Sequence, residues 1–228
     1  MNRFFFTELL EGNPKLLVEM IAFNRTDVAR EDALAASVPS ALAPAVLRHP
    51  NLVSALRRAV VKRTPIRSDD ACWDFTEESR RLAFLSAEAL SRLGLLMAAA
   101  VMADDYAKVI VRQEVLELRG TLPDDVMDYA LNRGRWQVGS VRAELYGLAE
   151  GKKPGEKTLR LARTMLEELR AGWPEALQER TAILFKSLSL PEVEALPEMT
   201  DASRKTLWRF ARKILLRELE PECRRAFN

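Results

Sequence analysis

The sequence predicts an all-α protein, a single globular helical domain of about 8–10 helices with no sheet of consequence. Three observations support this prediction. Apolar residues recur at helical spacing in nearly every segment, and strand-like alternation is scarce. Glycine is infrequent, with 9 residues in 228, which is typical of helices joined by short turns. The hydrophobic fraction of 48% is large enough to bury a core, so the composition does not favour disorder.

Residues 1–70 are predicted to form short helices broken by proline, which pack on a main helical domain of residues 71–228. Pro14 suits the first turn of a helix, and an apolar stripe follows it. A second apolar stripe lies before Lys62, and residues 66–74 are predicted to form a loop. The members of the two stripes are Leu16, Leu17, Met20 and Ile21, and then Leu52, Val53, Leu56, Val60 and Val61.

The middle of the chain has the most regular helical pattern. Thr76 is predicted to cap one helix, with Glu77 and Glu78 placed favourably against the helix dipole. Ser86 is predicted to cap the next helix, whose small residues would permit close packing against a neighbour. The apolar positions of this second helix are Leu90, Leu93, Leu96, Met97, Ala100 and Val101.

Three further features follow in the sequence. An apolar stripe predicts a helix that ends near Gly120, and Pro123 is predicted to start the next helix. Gly134 and Gly139 are predicted to mark a turn around Trp136. The apolar positions of the stripe before Gly120 are Val109, Ile110, Val115, Leu116 and Leu118.

The last third of the chain is predicted to contain three helices, at about residues 156–170, 174–188 and 201–219. A proline-bearing loop at residues 190–197 separates the last two helices, and Pro221 ends the final one. The sequence has no internal repeat at solenoid periods and no low-complexity tract.

Charge and cysteine usage limit the classes of protein to consider. The 35 basic residues nearly balance the 33 acidic residues, whereas a dedicated nucleic-acid binder would have a clear basic excess. Cys72 and Cys223 lie far apart and in no paired motif, which indicates ordinary thiols in a reducing compartment. The longest uncharged stretch, residues 93–103, is far shorter than the roughly 20 residues of a membrane span. We therefore expect a cytoplasmic protein.

Residues 151–158 imitate a phosphate-binding loop. Gly151, Lys157 and Thr158 have the spacing of that motif, which needs glycine directly before the lysine so that backbone N–H groups can surround phosphate. Glu156 occupies this position, and its carboxylate would repel phosphate. The segment also follows a predicted helix rather than a strand, so we interpret it as a basic loop between helices.

Residues for catalysis or metal binding are sparse. His49 is the only histidine, and it is interpreted as part of a helix boundary with Pro50. Four acidic pairs invite an acid–base interpretation, but they are better explained as helix starts or solvated faces. We therefore predict no enzyme activity and no catalytic, cofactor-binding or metal-binding residues. The acidic pairs are Glu77-Glu78, Asp104-Asp105, Asp124-Asp125 and Glu167-Glu168.

The C-terminal helix is the most basic part of the chain. Residues 201–228 contain eight basic and four acidic residues. Three interpretations remain open: a solvated face on a core helix, a docking surface for an acidic partner, or a patch for a membrane surface or nucleic acid. Aromatic residues do not alternate with the basic ones densely enough for stacking on single-stranded nucleic acid. The basic residues of the helix are Arg204, Lys205, Arg209, Arg212, Lys213 and Arg217.

Three stretches, in order along the chain, support a family resemblance. Residues 81–97, continued at 109–116, form an arginine- and leucine-rich helix pair with the step Leu93-Gly94-Leu95. The helix after Gly155 is followed by the break Trp173-Pro174. The end of the chain has a basic apolar helix, then a proline, a cysteine and a penultimate phenylalanine. In these features the chain resembles the SctK family of type III secretion sorting-platform proteins.

The resemblance also covers part of the N-terminal region. Phe23-Asn24-Arg25 is similar to the aromatic-asparagine-arginine start of the family pattern, although Thr26 stands where the family has proline. Together with the basic residues of the C-terminal helix, Phe23 and Arg25 are the candidate partner-binding residues.

The resemblance implies a non-enzymatic adaptor of the injectisome, without a cofactor. SctK-like proteins link the cytoplasmic domain of the inner-membrane ring protein SctD to pods of SctQ, which connect through SctL to the ATPase SctN. We therefore expect the chain at the cytoplasmic face of the inner membrane, peripheral to it through partners only, with no nucleic acid bound. The alternative function is a helical nucleic-acid-binding regulator that uses the basic C-terminal helix.

Overall fold

The fold is helical. A computed structural model of the chain describes residues 10–24, 34, 38–39, 41–63, 72–149, 151, 153–193 and 195–227. It is 74% helical and has no strand among these residues, which confirms the predicted all-α class.

The helices are named here in chain order. They are α1 (Pro14–Asn24), α2 (Ala43–Leu47), α3 (Pro50–Arg63), α4 (Ala87–Tyr106), α5 (Arg112–Thr121), α6 (Asp124–Tyr129), α7 (Arg135–Gln137), α8 (Arg142–Tyr146), α9 (Pro154–Ala171), α10 (Glu175–Lys186) and α11 (Asp201–Glu218). A π-helical turn, Ala130–Gly134, joins α6 to α7. The 3₁₀ segments are Glu78–Phe84, Gly139–Val141 and Pro221–Arg224.

The described residues fall into two compact units. The first unit is formed by residues of Met1–Ala87, Trp173–Leu188 and Pro221–Asn228. The second unit comprises Glu88–Gly172 and Ser189–Glu220. The predicted domain boundary at residues 70 and 71 lies outside the described residues and stays a prediction.

The two predicted N-terminal stripes differ in burial. Helix α1 begins at Pro14 as predicted and buries three of its four apolar positions, Leu16, Leu17 and Met20, while Ile21 is 46% exposed. Helix α3 is also present, but Leu52 is exposed and the next positions of its stripe are only half-buried. Val60 and Val61 have side chains outside the described part.

The predicted cap at Thr76 is wrong. The first helical segment of this region is a 3₁₀ helix, with Glu77 at its N-cap position and no side-chain cap. The Thr76 hydroxyl instead donates to the Asp74 carboxylate at 2.6 Å. Asp74 also forms an ion pair with Arg80, so the chain before the segment is held by Asp74 rather than by a capping hydroxyl.

Helix α4 is the centre of the second unit. It begins directly after Ser86, and its six predicted apolar positions are all at most 1% exposed. A methyl group at Gly94 would lie 2.9 Å from Leu166 Cδ1 and 3.1 Å from the Ala162 carbonyl oxygen of α9. The absence of a side chain at Gly94 therefore allows α4 and α9 to approach closely, as the small residues predicted.

The next predicted stripe is largely outside the core. Helix α5 begins only at Arg112, and Ile110 before it is 85% exposed. Leu116 is 54% exposed, whereas Leu118 is buried. The prediction of a helix that ends near Gly120 is confirmed, but Leu118 is the only one of the five apolar positions of its stripe that is buried.

In the last third of the chain, the observed helices agree closely with those that the sequence predicts. Helices α9, α10 and α11 occupy the three predicted ranges, and Thr200 caps α11 by accepting a hydrogen bond from the Ser203 backbone N–H at 3.2 Å. Pro221 begins the 3₁₀ segment that follows α11. Cys72 and Cys223 are free thiols. Within the described residues, every helix is too short or too polar to cross a membrane.

Candidate interaction surface

The basic helix α11 packs one face into the second unit. Its buried side chains lie at helical spacing and contact α9, so the basic residues occupy the remaining circumference. These buried side chains are Leu207, Phe210, Ala211, Ile214 and Leu215.

Arg204 is part of the packing between α9 and α11. Its guanidinium lies 3.3 Å from a carboxylate oxygen of Glu168 and 3.3 Å from one of Asp201. Glu168 is only 1% exposed, and this burial raises the pKa of its carboxyl group, while the neighbouring Arg204 lowers it. Arg204 therefore compensates a buried charge, and the interpretation of Glu168 as a solvated face is wrong.

The other five basic residues of α11 divide by their partners. Lys213 donates a hydrogen bond to the Gln137 carbonyl oxygen at 2.9 Å. Arg212 is half-buried and Arg217 is exposed, and both interact with other groups of the chain. Lys205 and Arg209 are exposed and form no ion pair with any residue in the described part. Only part of the basic helix therefore has free charge.

Phe23 belongs to an aromatic cluster of the first unit. Its ring centroid lies 5.5 Å from that of Phe75 and 5.8 Å from that of Phe84, both edge-on. The Arg180 guanidinium lies over the Phe23 ring at 5.6 Å. Phe23 is half-buried by these contacts. Arg25, its predicted companion, lies outside the described residues.

Trp136, to which the sequence pattern assigns no role, is 74% exposed. Its side chain projects from α7, and the guanidinium of Arg135 lies 5.3 Å from the centre of its ring system. Leu131, on the preceding π turn, is 42% exposed. The available signal was a tryptophan preceded by two arginines, Arg133 and Arg135, in a segment where glycine suggested a turn.

The predicted turn at Gly134 is wrong, because the helix continues through it as a π turn. The Tyr129 ring lies over Gly134, where a methyl group would be 2.8 Å from ring atom Cε1 and 3.1 Å from Ala100 Cβ. Gly134 thus serves close packing rather than chain reversal. Gly139, at φ +58°, adopts the left-handed conformation just after α7, so the second predicted glycine does mark a break. Rare π turns concentrate at functional sites.

A hydrogen-bond network holds α7 in place. The Tyr129 hydroxyl donates to the Gln137 side-chain oxygen at 3.3 Å, and the Gln137 amide donates to Glu218 at 2.9 Å. Arg133 forms an ion pair with the other Glu218 oxygen at 3.1 Å. Burial, and then the Glu218 charge, raise the pKa of Tyr129, so its phenol stays a donor. Together with the Lys213 bond, the network attaches α7 to α11.

A hollow of about 440 Å³ adjoins α7, and Arg135 links the two. The Arg135 guanidinium lies 3.1 Å from an Asp104 oxygen, and Arg142 forms a second ion pair with the same carboxylate. Arg142 also donates twice to the Val101 carbonyl oxygen, at 3.0 and 2.9 Å. The residues that line the hollow are Asp104, Asp105, Lys108, Gly139, Arg142, Ala143 and Tyr146.

The second carboxylate of the hollow is also engaged. Tyr146 donates its hydroxyl to Asp105 at 2.8 Å, and this bond raises the pKa of Tyr146. Lys108 lies 3.9 Å from the same carboxylate. The acidic side chains of the hollow are therefore paired with basic or hydroxyl groups, and the Asp104 ion pair holds Arg135 next to Trp136.

We call the exposed surface formed by Leu131, Arg133, Arg135 and Trp136 the Trp136 surface.

The segment that imitates a phosphate loop is the start of α9. It follows helix α8 rather than a strand, and Lys157 lies 6.0 Å from the centre of the Tyr146 ring. Thr158 is buried and donates to the Pro154 carbonyl oxygen at 2.8 Å. His49 is exposed between α2 and α3, at the predicted helix boundary. The described residues contain no group of three or more side chains placed to hold a metal ion.

Comparison of the chain with protein-family models, with curated proteins and with solved structures gives no match.

Proposed function

We propose that this chain is a non-enzymatic adaptor of a bacterial type III secretion injectisome sorting platform. In this role it links the cytoplasmic domain of an SctD-like ring protein to SctQ-like pods, and through them to SctL and the ATPase SctN. The observation that carries the adaptor class is the Trp136 surface: an indole 74% exposed, with Arg133 and Arg135 shortly before it in the chain. The ordered resemblance of three stretches to the SctK family supplies the particular system.

The Trp136 surface has the composition of a protein-binding site. Tryptophan, tyrosine and arginine are the residues most enriched among those that dominate binding energy at interfaces. An indole that is mostly exposed to water has a large apolar area to bury. Because Gln137 and Lys213 hold α7 in place, the surface would lose little conformational entropy on binding. These properties suit an adaptor, which works through surfaces.

The nucleic-acid-binding alternative has weaker support. Phosphate binding needs free cations, yet Arg204 compensates Glu168, and Lys213 is bonded to the chain itself. Lys205 and Arg209 are exposed on α11 without an ion pair to the described residues, but two cations make a small phosphate site. We therefore favour the adaptor, located at the cytoplasmic face of the inner membrane through its partners.

The test is co-purification of the full chain with the SctQ-like protein and with the cytoplasmic domain of the SctD-like protein from the same genome. We expect at least one of them to remain bound through size-exclusion chromatography. Retention on DNA at low salt, with no binding to either protein, would support the alternative instead. Binding to neither protein would remove the proposal.

A further inference from the structure

We infer that the Trp136 surface binds an acidic segment of a protein partner. In this complex the indole packs against apolar side chains of the segment, and the surrounding arginines pair with its carboxylates. The inference rests on the proposed function, since the partner is taken to be one of the two platform proteins. It adds the place of binding and the chemistry of the segment.

Positive charge lies both on the Trp136 surface and on the neighbouring face of α11. On the α7 side, the Arg133 side chain is 64% exposed and that of Arg135 is 45% exposed. On α11, Arg209 and Arg217 stand four residues before and after Lys213, so the three share one helix face. Because Lys213 reaches the Gln137 carbonyl oxygen, this basic face lies beside α7.

The acidic groups of the same region do not cancel this charge at the surface. The Glu218 side chain is only 9% exposed, and it forms an ion pair with Arg133 and accepts a hydrogen bond from Gln137. Asp104 is shared by two arginines, Arg135 and Arg142, which leaves this group with one net positive charge. The outward charge is therefore carried by arginines, which bind carboxylates in a two-pronged geometry. Charge complementarity points to a segment rich in aspartate and glutamate.

The apolar centre of the surface indicates a protein rather than a nucleic acid. Trp136 and Leu131 are both exposed apolar side chains on one continuous helical segment, which suits a partner with apolar side chains of its own. Single-stranded nucleic acid is bound on several stacking aromatics, whereas the Trp136 surface has one.

Binding of four full-length variants to the platform protein that the wild type binds, measured by isothermal titration calorimetry, tests this inference. Trp136→Ala should weaken binding by about thirtyfold or more, as expected for a residue that dominates an interface. Arg209→Glu should weaken it by about five- to tenfold, with a larger effect at low salt than at high salt.

Matched controls come from exposed residues on α5 and the segment before it. Ile110→Ala removes a side chain that is 85% exposed, and Arg119→Glu reverses a side chain that is 63% exposed. Both controls should bind within about twofold of the wild type, because neither residue lies on the Trp136 surface. Urea unfolding of Trp136→Ala should match the wild type, which separates lost contact from lost folding.

The outcomes distinguish the inference from the proposed function. If the wild type binds neither platform protein, the proposed function fails and the inference falls with it. If the wild type binds but Trp136→Ala and Arg209→Glu bind equally well, the adaptor stands and the Trp136 surface is not its docking site. Binding to DNA or to anionic vesicles that is lost in Trp136→Ala, with platform binding unchanged, would assign the surface to that ligand and overturn the inference.

Discussion

Phe23 and Trp136 are similar in their immediate contacts and opposite in their exposure. Each ring has an arginine guanidinium over it, Arg180 at 5.6 Å in the first unit and Arg135 at 5.3 Å in the second. Each aromatic residue is followed by an amide residue that fixes the backbone. Asn24 donates to the Cys72 carbonyl oxygen at 2.7 Å, and Gln137, after Trp136, donates to Glu218.

The difference lies in what else touches the ring. Phe23 meets the rings of Phe75 and Phe84 edge-on, so its apolar area is used within the first unit. Trp136 leaves 74% of its area exposed. An arginine on an aromatic ring therefore does not by itself identify a docking surface, because the same pair also occurs in packed clusters. The area still open to a partner decides the function.

The Phe75 cluster and the Trp136 surface should differ most clearly in what they contribute to the free energy of unfolding. Phe75 is 2% exposed and contacts both other rings of its cluster, so Phe75→Ala should lower the free energy of unfolding by about 3–5 kcal/mol. Trp136→Ala should change it by at most about 0.5 kcal/mol. Urea unfolding followed by circular dichroism measures both. An equal loss in the two variants would mean that Trp136 also supports the fold, and the comparison would fail.

The free energy of unfolding should depend on the packing at Gly134, beneath the Trp136 surface, even though it does not depend on the exposed Trp136 side chain. Gly134→Ala places a methyl group 2.8 Å from the Tyr129 ring and should lower the free energy of unfolding by about 1–3 kcal/mol. Gly120→Ala is the matched control, since nothing lies within 4 Å of its added methyl group. That variant should be stabilised by about 0.5–1 kcal/mol, because alanine is the better helix former. Equal thermal midpoints for the two variants would argue against tight packing at Gly134.

Much of the fold follows from the sequence where burial is complete. Helix α4 has an unbroken run of apolar and small residues at 96–103, and every one of them is buried, so periodicity alone was sufficient there. The stripe before Gly120 looks equally apolar, yet Ile110 is 85% exposed. Periodicity states which residues could face a core and does not state whether a neighbour covers them. That depends on long-range packing, which the local pattern does not contain.

The candidate site was only partly predictable. The charge of α11 is visible in the sequence, but the partners of Arg204 and Lys213 come from helices far away along the chain. Gly134 was interpreted as a turn because glycine usually breaks a helix, whereas here the Tyr129 ring occupies the space of its missing side chain. Trp136 was consequently placed in a turn, and its exposure on a continuous helical segment was missed.

The two arginines that lie over aromatic rings should differ in their contribution to stability. Arg180→Ala removes the cation from the half-buried Phe23 ring and should lower the free energy of unfolding by about 1 kcal/mol. Arg135→Ala, at a side chain 45% exposed, should change it by less than about 0.5 kcal/mol. Urea titrations of both variants at the same ionic strength provide the test. A larger loss for Arg135→Ala would show that its ion pair with Asp104 supports the fold.

Asp74 should contribute a weak pH dependence to the stability of the first unit. It directly precedes Phe75, a member of the aromatic cluster. The hydrogen bond from Thr76, and then the ion pair with Arg80, hold the pKa of Asp74 below its unperturbed value of 3.8. A lowered carboxyl pKa means that the unfolded chain binds the proton more readily. The ionised Asp74 therefore stabilises the folded state above pH 3.8, and this stabilisation is lost as the pH falls through the lower folded pKa.

Asp74→Asn tests this sign. The wild type should be more stable than the variant at neutral pH, and the difference should shrink as the pH falls below 3.8. Because the Asp74 side chain is 57% exposed, water screens the pair and the difference should be small and reduced by salt. Thr76→Ala should move the loss to higher pH, because the hydroxyl is the larger cause of the shift. A difference between wild type and Asp74→Asn that stays constant across the acid range would assign the effect to amide packing rather than to charge.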